Sequence, residues 1–176
     1  MTSSPVLGHP APVRPDRLRL AMRQHGAGVA VITTRDAGSP TGFCASSLIS
    51  VSLEPPTVCF TVATGSTSGR VWARHRHGLV HLLRSDQQAL AAGFARSGAD
   101  KFAGVAWHWG PEAQPLLDNV LAWMLVSTRT RVVVGDHLLL VCDVREVEIP
   151  PRPQPAPGPL LHHDGAFYAL SPVLPS

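Results

Sequence analysis

The chain has 176 residues, 44% of them apolar and 15% charged, with a formal charge of +3. That length fits one domain with a single sizeable core. Its basic residues are scattered, Lys101 being the only lysine, with no run of five or more and no aromatic interleaving, which argues against a nucleic-acid surface. No stretch approaches eighteen consecutive apolar residues, so no membrane span is expected. Cys44, Cys59 and Cys142 show no C-x-x-C spacing and read as small buried hydrophobes. The first ten residues lack a basic and an apolar export region, and a cytoplasmic protein is expected.

Residues 1 to 14 read as a mobile Pro-rich arm. From Pro15, Leu18, Ala21 and Met22 fall on one face at helical spacing, and the helix ends near Gly26. Val29 to Thr34 is a short β-branched strand, Asp36 to Pro40 a turn, and Gly42 to Pro56 the partner strand of a hairpin. Thr57 to Val62 is a further strand. Gly65 to Gly69 is a loop leading into a short helix over Arg70 to Arg74, and Gly78 to Leu83 is again strand-like. Ser85 with Gln88 makes a capping-box pattern ahead of a helix that buries Leu90, Ala91 and Phe94. Asp100 to Gly110 is a loop carrying K-F and W-H-W. Val120 to Val134 and Leu138 to Ile149 are long β-rich runs joined at G-D-H. A Pro-rich loop over Pro150 to Pro159, a strand near Ala166 to Leu170 and a loose tail over 171–176 complete the chain. Many short strands with few helices predict a mainly β protein built as a barrel. No G-x-G-x-x-G follows a strand, so a dinucleotide would not be held in the Rossmann manner.

Four places carry chemistry. In Gly42–Pro56, hydroxyls at Ser46, Ser47, Ser50 and Ser52 leave the backbone approachable, and a planar polar ring could lie against such a strand. Gly65-Ser66-Thr67-Ser68-Gly69, ahead of a helix, makes a plausible phosphate cradle or a plain surface turn. It is no nucleophile elbow, because Thr67 occupies the place where Ser would be needed. Lys101, beside Phe102, suits a point-charge contact to a phosphate, and His137 sits where one strand turns into another. Other histidines (His75, His77, His81, His162 and His163) show no metal-ligand spacing, and no metal is expected.

Together these segments resemble the short-chain flavin reductases that supply reduced flavin to two-component monooxygenases. The likeness runs from about Pro15 to Leu170 and rests on order and spacing: G-F-C-A-S-S-L-I-S-V-S-L-E-P-P, S-T-S, Q-Q-A-L-A-A-G-F-A with D-K-F-A-G, P-L-L, G-D-H and D-G-A-F-Y-A-L. The resemblance implies an FMN-binding split β-barrel over residues 15–170, working as a homodimer, with FMN or FAD in a groove beside the interface and NADH or NADPH as hydride donor. By position, Cys44, Ala45, Ser46 and Ser47 would line the isoalloxazine and ribityl chain, with Ser50 counted among the flavin-binding residues. Ser66, Ser68 and Lys101 would hold the phosphate, and Phe102 would pack nearby. His137 falls on the histidine that faces the nicotinamide side, and Tyr168 on an aromatic position close to the same pocket. Leu48 stands where an aromatic is usual, Val80-His81-Leu82-Leu83 replaces V-N-V-L, and Cys142-Asp143 replaces a glycine step.

Hydride transfer from nicotinamide to flavin needs two stacked rings and stabilised charge, without a strong protein acid or nucleophile. Release of reduced flavin to a second protein, a monooxygenase, favours a shallow polar groove. Two other readings fit the chain: a flavoprotein oxidase or monooxygenase using His81 and Trp107 to Trp109 for an organic substrate, and a non-catalytic flavin-binding module.

Overall fold

The computed structural model describes residues 12–98, 100–151 and 157–171. Most of the expected N-terminal arm, residues 152–156 of the Pro-rich loop and residues 172–176 of the tail lie outside the described residues.

Helix α1 (Pro15–Arg23) starts on a proline, with Asp16 in its first turn and Arg23 in its last, matching the helix dipole at both ends. None of its residues is buried, and Leu18, Leu20 and Met22 are each more than half exposed. The apolar face therefore has no partner within the described chain.

β1 (Ala27–Gly28) is followed by β2 (Ala30–Asp36) and β3 (Ser39–Ala45), a hairpin whose turn residues Ala37 and Gly38 both have positive φ. The expected single strand over Gly42–Pro56 is two strands. β3 ends at Ala45, Ser46 to Leu48 cross a gap, and β4 (Ile49–Leu53) begins on the far side. β5 (Pro56–Ala63), β6 (His77–Leu82), β9 (Ala122–Val134) and β10 (His137–Glu148) complete a sheet ordered β3-β2-β6-β9-β10-β5-β4.

That order fixes the architecture. β3 and β4 are the two edges of a seven-stranded sheet, yet four chain steps from Ala45 to Ile49 reach at most about 14 Å. Six spacings of about 4.8 Å would hold the edges of a flat sheet roughly 29 Å apart. The sheet must curl until its edges nearly meet, which is the expected barrel with a split seam.

β2 shows why the barrel is layered on one side. Its alternate residues Ala30 and Ile32 join an interior cluster with Phe43, Phe60, Trp72 and Leu140. Val29 and Val31 face an outer cluster with Leu79, Phe94, Phe102 and Leu117. Both faces of the strand are buried. The outer layer is supplied by α3 (Gln88–Ala95), by the short pair β7 (Trp107–Trp109) and β8 (Pro115–Leu117), and by Leu160. Leu160 opens β11 (Leu160–His163), which pairs with β1 and with β12 (Ala166–Ala169) in a separate three-stranded sheet.

Two helix starts differ from expectation. α2 (Thr67–Trp72) begins three residues early, because Ser66 caps it by accepting the Gly69 amide at 2.9 Å. The Ser85–Gln88 capping box does not form: the Ser85 amide is drawn to Gly158 O at 2.8 Å, and α3 has no side-chain cap. Leu90, Ala91 and Phe94 do pack against the outer core.

Candidate active site

A groove of about 780 Å³ opens where the end of β3, the end of β5, the start of α2 and the loop after α3 meet. The seam forms one wall. Cys44 and Ala45 close β3, and Ser46 and Ser47 carry the chain across. Ser47 Oγ accepts the Thr61 amide at 3.0 Å and donates to the Thr61 carbonyl at 3.4 Å, so a side chain takes the place of a ladder bond. Ser46 is exposed, and its hydroxyl has no partner among the described residues. Burial pushes the Cys44 thiol up to about 11, against a smaller opposing effect of Lys101, so Cys44 is no thiolate nucleophile.

The loop before α2 forms the second wall. Ser66 Oγ donates to Ala63 O at 2.8 Å while accepting from Gly69, and the buried Ser68 Oγ donates to Gly42 O at 3.1 Å. Both hydroxyl hydrogens are thus spent on shaping the loop. The donors left for an anion are the amides of Thr67 and Ser68, which lack partners among the described residues, and the Thr67 hydroxyl. Gly69 is required here: a Cβ on it would lie 2.0 Å from Ala63 O.

Lys101 Nζ donates to Gly42 O at 3.1 Å and to Phe94 O at 2.9 Å, leaving one N–H for the groove. Burial pulls its pKa below the usual lysine value, with Cys44 opposing weakly. Because Ser68 and Lys101 share the Gly42 carbonyl, the ammonium stands beside the start of α2. Phe102, buried edge-on between Phe94 and Trp107 at 5.0 and 5.3 Å, supplies a rigid apolar surface.

His137 opens β10 opposite Ala63. Its Nδ1 lies 2.7 Å from the Asp136 carboxylate. A carboxylate only accepts, so the hydrogen sits on Nδ1 and Nε2 is left for the groove. His137 in turn holds the Asp136 carboxyl below its usual pKa.

Nine of the expected site residues therefore line one groove: Cys44, Ala45, Ser46, Ser47, Ser66, Ser68, Lys101, Phe102 and His137. Ser50 and Tyr168 do not. Ser50 is exposed on β4, beyond the seam, opposite Val58. Tyr168 is exposed on β12 in the other sheet, edge-on to His163. Arg70 was missed by sequence reasoning: it lines the groove and donates to Gly65 O at 2.8 Å. The signal was a base one turn after the hydroxyl trio. Among the lining residues Asp100 is the sole acid, against Arg70, Lys101 and His137, and its Oδ1 accepts the Phe102 amide.

The features reserved for an organic substrate lie elsewhere. His81 is fully buried, donating from Nδ1 to Val31 O at 3.0 Å and accepting the Leu117 amide at Nε2 at 3.2 Å. Desolvation pushes its pKa down to about 4. Trp107 to Trp109 form β7 and do not line the groove. Leu48 and Cys142 pack into the interior cluster. Among the described residues no three His, Cys, Asp or Glu side chains gather as metal ligands. His75 pairs with Asp36 and His77 with Glu112.

The flavin reductase like domain matches residues 22–171. An NADH:FMN oxidoreductase of Rhodococcus qingshengii is 38% identical over 156 residues, 88% of this chain and 81% of that protein. The reductase subunit of a flavin-dependent monooxygenase from Rhodococcus jostii is 32% identical over 166 residues, 91% of this chain and 80% of that protein. The crystal structure of a flavin reductase domain protein from Arthrobacter superposes with a TM-score of 0.83 at 34% identity, covering 90% of this chain and 96% of that one.

Proposed function

Since the chain belongs to the flavin reductase like family, we propose that its groove seats FMN or FAD and receives NADH or NADPH, and that reduced flavin passes on to a partner monooxygenase. The chemistry supplied by the bound pair is hydride transfer from nicotinamide C4 to flavin N5.

The protein's part is to hold, orient and neutralise. The seam at Ser46–Ser47 offers hydroxyls and backbone to the polar edge of the ring, and Phe102 backs the groove. The free amides at the start of α2, the Thr67 hydroxyl, Arg70 and Lys101 take the phosphate, with Ser66 and Ser68 keeping that loop in shape. His137 meets the hydride donor through Nε2, which accepts from the carboxamide when the ring is neutral. The observation that carries this reading is the convergence of the seam, the loop, Lys101 and His137 on one open, cation-rich groove.

The active form is a homodimer. Ile49, Val51 and Leu53 on edge strand β4 are more than half exposed, as are Leu18 and Met22 on α1. A second copy would cover this apolar surface. Residues 15–170 form the functional unit, and the reaction takes place in the cytoplasm.

The test mixes purified protein with each flavin and each nicotinamide and follows absorbance at the nicotinamide band. Flavin-dependent oxidation supports the reading, and binding of flavin without turnover would leave a non-catalytic module.

A further inference from the structure

We infer that Thr64, which lies outside the groove, is a positioning residue that couples flavin phosphate binding to nicotinamide binding. Both the amide and the hydroxyl of Thr64 donate to one acceptor, the Asp136 carbonyl, at 2.9 and 3.0 Å. The carboxylate of the same Asp136 holds His137 Nδ1 at 2.7 Å. On its other side Thr64 is chained to the loop before α2: Ala63 O receives both the amide and the hydroxyl of Ser66, at 3.1 and 2.8 Å. A covalently short path therefore joins the loop to the imidazole, through Thr64 and both oxygen-bearing ends of Asp136.

The hairpin tip that carries His137 is paired in the sheet on both sides, His137 with Ala63 and with Val134, but its side chains pack little. Val133 and Val134 beside the turn are 70% and 58% exposed, so the direction of the imidazole depends on its own polar contacts. Thr64 itself is exposed and packs into neither core cluster, so its hydroxyl contributes position rather than packing. An anion engaging the loop steadies Thr64, hence Asp136, hence the direction of His137 Nε2. The dinucleotide then binds better to protein already loaded with a phosphorylated flavin, and by linkage the reverse holds equally. The inference rests on the flavin reductase reading above.

The experiment measures the dissociation constant of NAD⁺, which cannot donate hydride, on protein saturated with FMN or with riboflavin. In the wild type FMN should tighten NAD⁺ relative to riboflavin by about two- to tenfold, the worth of one net hydrogen bond. Thr64→Val, which keeps the shape and the amide bond to Asp136 but loses the hydroxyl, should lower that ratio toward one. Thr64→Ser should retain it, with unchanged thermal midpoints. Thr64→Ala deletes the same hydroxyl and must agree with Thr64→Val, which keeps the test decisive if either variant folds poorly. Equal NAD⁺ affinity on both flavins in the wild type, or a ratio that survives in the Val variant, overturns the coupling. A wild type that oxidises neither NADH nor NADPH with either flavin would instead overturn the function on which it rests.

Discussion

Ser47 Oγ accepts the Thr61 amide at 3.0 Å, and this contact closes the seam of the barrel at the wall of the groove. The same two residues therefore serve fold and site together. Ser47→Ala should leave the Thr61 amide without its partner and lower stability by about 1 kcal/mol, toward the low end for a half-buried group. Ser46→Ala, whose hydroxyl has no partner in the chain, should leave stability within about 0.5 kcal/mol of wild type while weakening flavin binding. Urea melts and flavin titrations of both variants separate the roles.

Arg70 and Lys101 should differ in the same way at the phosphate end. Arg70 is exposed, so Arg70→Ala should leave the melting temperature alone and weaken FMN by about three- to tenfold, the loss of a solvent-screened charged contact. Lys101→Met also strips the Gly42 and Phe94 carbonyls of their shared donor, and should cost stability as well as FMN affinity. Riboflavin, lacking the phosphate, should be indifferent to Arg70→Ala. Equal losses for FMN and riboflavin would place Arg70 elsewhere than at the phosphate.

His81 should set an acid limit on the fold. Burial lowers its pKa to about 4, from an ordinary histidine value of 6.5. Between those values the unfolded chain binds the proton and the folded chain does not. Stability is thus full above about pH 6.5 and declines toward pH 4, by a total on the order of 3 kcal/mol. Denaturant melts across this range should show the decline, and His81→Asn should flatten it. A slope that survives the substitution would move the titration to another group.

Edge strand β4 should carry the dimer contact. Val51 is half exposed where the β4–β5 register shifts, and Val51→Glu would place a carboxylate on the apolar surface. Sedimentation should give a dimer for the wild type and an 18.8 kDa species for the variant. A wild type that stays monomeric would remove the second copy from the account.

Much of this could be seen in the residues. The β-branched run over Val29 to Thr34 became β2, and the long β runs flanking G-D-H became β9 and β10. The seam was hidden, because Ser46 to Leu48 read in sequence like a continuation of the strand, while in the structure the chain bends at Ser46. Only the bond to Thr61, fourteen residues on, and the sheet order separate β3 from β4. β1 and β11 were missed because each is short and its pairing joins Ala27 to His162 across most of the chain. At the site, spacing located the hydroxyl loop and Lys101 but not where hydroxyl hydrogens point. Ser66 and Ser68 turned out to shape the loop, while Arg70 stands at its rim. Ser50 and Tyr168 follow the same local patterns, yet their strands lie outside the groove.

The most direct test of the account is the initial rate of NADH oxidation by purified protein with free FMN, followed at the nicotinamide band. The account predicts oxidation that needs both enzyme and flavin and saturates in each substrate. Nicotinamide consumption no faster than in the flavin-only control for every pairing of NADH or NADPH with FMN or FAD, by protein that binds flavin and is correctly folded, would contradict it.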